Sequence, residues 1–290
     1  SYCENEDIGE DEKPKAFPVQ NERLKIAKPD DFEKIPGSPV AYWVSLQTRS
    51  TFLNQENFDK NFSIKAGICT GKNAEFILYW HEVDAILIRG FASEEYSYTP
   101  HNKGGDFRKW AGNFDWVLKY SKNHLAAMEK NEGFRHDGKE FYFSPHVGWS
   151  KITSSLSSFR MYPVGYTFDS AGLGLFCKDE NSDLKLAVAF LNSKVAAYLI
   201  NLLNPTLNVT PEIVKRIPYN KPLDFDLSVI DELCNISESD WNEIESSRDF
   251  QGLRFAVGSL SLEKSWKNWQ SIVDQRFVRT TKLEEENNRL

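Results

Sequence analysis

Between Leu184 and Leu203 the chain reads LKLAVAFLNSKVAAYLINLL, an apolar stretch interrupted by Asn192-Ser193-Lys194. A helix apolar around most of its surface belongs in a core, so this segment reads as a core helix with one polar turn that can face an interface. Asn204-Pro205 ends it, because proline cannot continue the hydrogen-bond ladder.

The flanking sequence differs on the two sides. From Phe62 to about Phe176, β-branched and aromatic runs alternate with Gly, Asn and Asp: FSIKAGI, DAILIRGF, DWVLKY, EFYF, GWSKIT and YTFDS are predicted strands. SKNHLAAMEKNEG (121–133) is the predicted helical insertion, with a Ser cap and a closing Gly. On the C-terminal side, Thr210-Pro211 caps PEIVKRI, and Pro218 stops it. Beyond Pro222 the pattern is helical. Asp226 or Ser228 opens the first helix, Ser237 with Asp240 resembles a capping box, and a last helix runs from about Leu262 to the end. Ahead of the strands, Asp30-Asp31 starts a short helix, Pro36-Gly37-Ser38-Pro39 forces a turn, and LQTRSTFLNQENF has helical spacing. These signals predict an α+β fold, mixed and mostly antiparallel, followed by a helical C-terminal segment. The divisions are an acidic tail over 1–35, a mixed α+β domain over 36–222 and a helical spacer or docking segment over 223–290.

The formal charge of −7 is unevenly spread. Residues 1–12 hold six acids and no Lys or Arg, and residues 223–290 hold 14 acids against 8 bases. Removing both segments leaves +5 for residues 13–222, a middle compatible with a polyanionic partner. The four cysteines (Cys3, Cys69, Cys177, Cys234) include no C-x-x-C pair, so a reducing cytoplasm is the expected compartment. No apolar run reaches the ~20 residues of a membrane span, and no signal-peptide pattern is present. The chain begins with Ser and stops inside a predicted helix, and it reads as a fragment of a larger protein.

No catalytic motif is recognisable. FDSAGLG (168–174) lacks the context of a cofactor-binding glycine turn, and LNPTLN (203–208) has Thr where an Asn-Pro-Pro-aromatic loop has its second Pro. Neither a phosphate-binding G-x-x-x-x-G-K-[ST] loop nor a G-x-S-x-G elbow occurs, and the five histidines are dispersed, so no metal site is expected.

Three stretches carry binding chemistry instead. HNKGGDFRKWAGN (101–113) sets Lys103, Arg108 and Lys109 around a Gly pair, with Asn113 able to read a base edge. The alternative is a solvated turn. GWSKITSSLSSFR (148–160) brings Lys151 and Arg160 beside Ser154 and Ser155, either along a sugar-phosphate backbone or in a polar loop. KAGICTGKNAEF (65–76) offers Thr70, Lys72 and Asn73 at a strand end, as a contact loop or a structural turn.

The same stretches, in this order, resemble the C-terminal part of the adenine-specific DNA methyltransferases of BREX phage-defence systems, the PglX family, which share motifs with type IIG restriction-modification enzymes. The resemblance runs through IPGSPVAYWVS, GICTGKN, HNKGGDFRKWAGN, WSKITSS, YPVGYTFDSAG, FLNSKVAAYLINLLNPTLN, IVKRIP and DWNEIESSRDF. His101, Ala111 and Arg248 stand where the family pattern has other residues. The resemblance implies a target-recognition region that reads double-stranded DNA for a methyltransferase domain upstream in the same parent chain. S-adenosylmethionine would then be bound by the parent enzyme and not by this fragment. Phosphate contacts would fall to Lys103, Arg108, Lys109, Lys151 and Arg160, with polar or base contacts from Asn113, Asn73, Ser154 and Ser155. Two alternatives stay open: a module binding other defence-system proteins, and the recognition part of a type IIG restriction enzyme.

Overall fold

The computed structural model describes residues 28, 30, 33–37, 43–91, 97–154, 156–180, 182–204, 206–222, 224–253 and 261–289. The acidic stretch 1–12, residues 38–42 of the PGSPVAYWVS segment, Ser155 and Pro205 lie outside them. Two compact units divide the chain, residues 1–55 and 56–290. In the first, α1 (Leu46–Asn54) begins at Ser45, whose hydroxyl accepts the Thr48 N–H at 3.1 Å, the cap that an extended Ser supplies to an orphan donor.

The second unit opens with α2 (Phe58–Asn61), β1 (Phe62–Lys65), β2 (Ile68–Cys69), α3 (Asn73–Phe76) and β3 (Ile77–Tyr79). Then come β4 (Tyr98–Asn102), β5 (Trp116–Lys119), α4 (Lys122–Met128), β6 (Arg135–His136), β7 (His146–Ser150), β8 (Phe159–Tyr162), β9 (Thr167–Phe168) and β10 (Gly172–Cys177). The helical part comprises α5 (Leu184–Leu191), α6 (Lys194–Leu203), α7 (Pro211–Lys215), α8 (Ser228–Trp241) and α9 (Leu262–Asn287). One sheet has the order β1-β10-β7-β8, all antiparallel, and another the order β3-β5-β4-β9, in which only β4 and β9 run parallel. A small antiparallel pair joins β2 to β6. The fold is α+β and mostly antiparallel.

Ile68, Phe76, Leu118, Met128, Phe168 and Phe176 bury together in a core cluster. Each large side chain removed from water there contributes roughly 1.5–3 kcal/mol before entropy is counted. The polar break at 192–194 has a structural cause. Asn192 Oδ1 accepts the Phe159 N–H at 3.0 Å, and Asn192 Nδ2 donates to the Phe159 carbonyl at 2.9 Å, so the amide acts as a short extra strand on β8. Ser193 then caps α6 through the Ala196 N–H, and the axis bends by 72°. No single helix among the described residues is long and apolar enough to cross a membrane.

Local departures from the sequence reading have identifiable causes. DAILIRGF is not a strand: Asp84 accepts the Ile86 N–H, and Ala85–Leu87 close into a 3₁₀ turn. EFYF likewise enters a turn over Lys139–Phe141 after the left-handed Gly138. Ser237 caps nothing. It lies inside α8, and its hydroxyl donates to the Lys109 and Ala111 carbonyls at 2.9 and 2.8 Å.

Candidate nucleic-acid interface

The loop after β4 divides into two halves with different surroundings. In the first half, Asn102 Oδ1 accepts the Gly104 N–H at 3.0 Å, and Ser150 Oγ donates to the Gly105 carbonyl at 2.7 Å. Gly104 has φ +87°, and a Cβ there would lie 3.0–3.3 Å from Ser150, so the loop sits directly against the end of β7. Lys103 places its ammonium 3.6 Å from the centre of the Trp116 ring. Tyr79 stacks on Trp116 with centroids 4.0 Å apart, which leaves the other face for the cation. Burial lowers the Lys103 ammonium from its ordinary range, with the Asp169 carboxylate opposing.

The second half turns inward. Arg108 pairs with Asp240 of α8 at 2.9 Å and lies 5.2 Å from the Trp241 ring. Lys109 lies 3.2 Å from both carboxylate oxygens of Glu284 on α9, and the Trp110 indole N–H donates to the same group at 3.0 Å. Trp110 has φ 71°, a strained conformation outside glycine, and is held there because its N–H donates to Phe159 and its carbonyl accepts from Met161. Asn113, also at positive φ, donates its amide to the Asp106 carbonyl at 2.9 Å and is buried.

Arg160 on β8 is fully buried among carbonyl and hydroxyl dipoles: its Nη1 donates to the Arg108 carbonyl at 3.2 Å, and its Nε to the Tyr162 hydroxyl at 3.4 Å. It makes no ion pair among the described residues.

Lys151 follows β7 directly. Its N–H donates to the Ala171 carbonyl at 2.8 Å, and its own carbonyl accepts the Val209 N–H at 2.8 Å. Ser154 is exposed on the same segment, whereas Ser155 lies outside the described residues. The 169–171 turn knits the loops together. Asp169 N–H donates to the Asn102 carbonyl, Ser170 N–H to the Ile68 carbonyl, and Gly67 N–H to the Asp169 carbonyl. Beyond Ile68, Thr70 is buried and donates its hydroxyl to Asn73 Oδ1 at 2.7 Å, while Lys72 is exposed, 3.9 Å from Glu75. The Lys103, Lys151 and Ile68–Asn73 segments therefore join through one set of backbone hydrogen bonds. Arg108, Lys109 and Arg160 instead lie on the inner side, toward β8 and the C-terminal helices, and Asn113 is buried against its own loop.

Beneath the outer loops lies a buried polar layer that the sequence did not announce. His101 Nδ1 is 2.9 Å from the Thr167 hydroxyl, and His101 Nε2 is 3.5 Å from Asp169 Oδ2, a close electrostatic contact without good hydrogen-bond geometry. Burial pushes the Asp169 carboxyl up, but His101, the Ala171 N–H and the Ser170 hydroxyl together outweigh it and hold the group below its usual range. Among the described residues no group of three or more His, Cys, Asp or Glu could hold a metal ion.

No family model matches the sequence. The chain is 33% identical over 297 residues to the adenine-specific methyltransferase PglX of Lacticaseibacillus casei (strain Zhang), an alignment covering 94% of this chain and 24% of that protein. It is 27% identical over 263 residues to the adenine-specific methyltransferase BrxX of Escherichia coli O9:H4 (strain HS), covering 90% of this chain and 21% of that protein. Nearly the whole chain thus matches adenine-specific methyltransferases of the BREX type, while spanning about a quarter of the length of these relatives or less.

Proposed function

We propose that this chain is the DNA-reading region of a BREX-type adenine-specific methyltransferase, which grips a duplex while the rest of the parent protein transfers the methyl group. The observation that carries this reading is the convergence of the Lys103 and Lys151 loops through the Ser150–Gly105 and Lys151–Ala171 hydrogen bonds. Neither ammonium has an ion-pair partner among the described residues, so two cations on preformed loops are available to phosphates. The relatives are methyltransferases by name, and the part of them that this chain does not cover is large enough for a catalytic domain.

In this reading S-adenosylmethionine is bound outside the chain, and an adenine extruded from the stack is methylated there. The recognition role falls to residues 36–222. The helices after 223 brace the inner half of the Lys103 loop through Asp240 and Glu284. Work on DNA places the protein in the cytoplasm.

Titrating the full-length protein with duplex DNA at several salt concentrations tests the proposal. Lys103→Ala combined with Lys151→Ala is expected to weaken binding to every duplex and to flatten the log K against log salt slope by about 2, at roughly 0.9 per phosphate contact. An unaltered affinity and slope would overturn it.

A further inference from the structure

Resting on that DNA-reading role, we infer that a short ribbon formed by residues 151–153 and 207–209 enters the major groove, and that Asn208 and Ile152 on its outer face read a base pair there. The two segments pair antiparallel: Val209 N–H donates to the Lys151 carbonyl at 2.8 Å, Thr153 N–H donates to the Leu207 carbonyl at 3.1 Å, and Ile152 faces Asn208 between them. Directly opposed residues share a face with Cβ atoms about 5 Å apart, so Ile152 and Asn208 form one unit on the ribbon, and alternation puts Lys151 and Val209 on the other face.

That outer face is open. Ile152 is 65% exposed, Asn208 is exposed, and neither Asn208 side-chain atom has a hydrogen-bond partner among the described residues. Exposure of an isoleucine is common on flexible loops, but this ribbon is held from below. The buried Trp149 donates its indole N–H to the Val209 carbonyl at 2.9 Å. Asn204 donates to the Thr206 and Asn208 carbonyls at 3.0 and 2.9 Å and accepts the Thr206 hydroxyl at 2.6 Å. An apolar side chain and an unused amide are therefore presented side by side on a preorganised support, the arrangement needed where binding must not cost loop ordering.

Charge identifies the partner. The ribbon strands come from two acid-free runs, residues 141–168 and 184–211, in a chain with 42 acids among 290 residues. Lys151 flanks the ribbon on its other face, half-buried, and Lys103 lies on the loop that Ser150 holds against it. A two-stranded ribbon fits the major groove, where an Asn amide pairs bidentately with adenine N6 and N7, and an apolar side chain packs on a thymine methyl. Three cross-strand pairs span only about 7 Å, enough for roughly two base pairs.

The test uses the full-length protein. Sequencing methylated adenines in cells that carry it defines the site, and a duplex panel with each base pair of that site replaced measures discrimination. Asn208→Ala and, separately, Ile152→Ala are expected to reduce discrimination at one base pair, or two adjacent ones, by about tenfold, with affinity for unrelated duplexes unchanged within twofold. If both variants discriminate as the unsubstituted protein does, the ribbon assignment is overturned while the DNA-reading role stands. Failure of the unsubstituted protein to bind any duplex overturns both.

Discussion

The Trp110 indole N–H donates to the Glu284 carboxylate across 3.0 Å, and the same carboxylate receives Lys109 at 3.2 Å. One acid on α9 thus fastens two consecutive residues of a loop more than 170 positions earlier. The Lys109–Glu284 pair is partly screened and contributes at most about 1 kcal/mol. The buried indole N–H matters more, since stranding a buried donor costs about 1–3 kcal/mol. Glu284→Ala should therefore lower the urea-unfolding free energy by about 1–3 kcal/mol, and Glu284→Gln, which keeps an acceptor, by less. Equal unfolding midpoints for all three proteins would show that this contact holds nothing.

The two halves of the same loop should separate experimentally. Arg108→Ala with Lys109→Ala removes the contacts to Asp240 and Glu284. We expect faster amide exchange in α8 and α9 and a loss of about 1–2 kcal/mol of stability, with the salt slope of DNA binding unchanged. A flattened slope in this variant would return phosphate contact to these two residues.

How far the sequence could be read follows from how local each signal is. The Ser121 cap works within three residues and its helix starts where the sequence places it, though it ends at Met128, whereas the single helix read over 184–203 breaks in two because Ser193 caps a second one. The side of HNKGGDFRKWAGN that faces solvent depends on Asp240 and Glu284, which no local pattern can pair with Arg108 and Lys109. Arg160 reads as a loop cation but is buried because β8 pairs with β7 and bridges to Trp110. Ser237 shows the same limit, since its spacing to Asp240 imitates a capping box while both residues face the loop from within α8. Asn208 gave no signal, because its position opposite Ile152 arises only when distant segments meet.

His146 makes the fold sensitive to acid. Its Nδ1 lies 3.1 Å from the Ser144 carbonyl and its Nε2 3.3 Å from Asn102 Nδ2, so the network assigns a neutral ring protonated at Nδ1. Burial pushes the imidazole down to about 4, and a second ring proton would set two donors against each other. Between about pH 6.5 and 4 the unfolded chain takes up a proton that the native chain refuses, so stability falls as pH falls through that window, by up to about 3 kcal/mol. Asp169, whose carboxyl is held low, loses its contribution only below that range. His124 and His136, both lowered by burial, act in the same direction as His146 and leave a residual slope. His146→Gln keeps a donor and an acceptor without titrating, and urea unfolding at pH 7 and pH 5 should show a smaller difference for it. An undiminished difference would assign the acid sensitivity elsewhere.

Gly172 is a tight point directly beneath the Lys103 loop. A Cβ there would lie 2.3 Å from the Asn102 carbonyl oxygen, 2.6 Å from Gly104 N and 2.7 Å from Lys103 C, all backbone atoms that cannot rotate away. Those atoms start the Lys103 loop, so Gly172→Ala must push the loop off the end of β10 or shift the strand. Overpacking of this kind costs about 1–3 kcal/mol. Gly133 is the control: it has φ +77° but nothing within 4 Å, so Gly133→Ala carries only backbone strain of about 1 kcal/mol and leaves the loop in place. If Lys103 holds phosphate, Gly172→Ala should weaken binding to all duplexes as well as lower the unfolding midpoint, whereas Gly133→Ala should change only the midpoint. Equal DNA affinity in the two variants would separate the position of the Lys103 loop from DNA binding and count against its role in the grip.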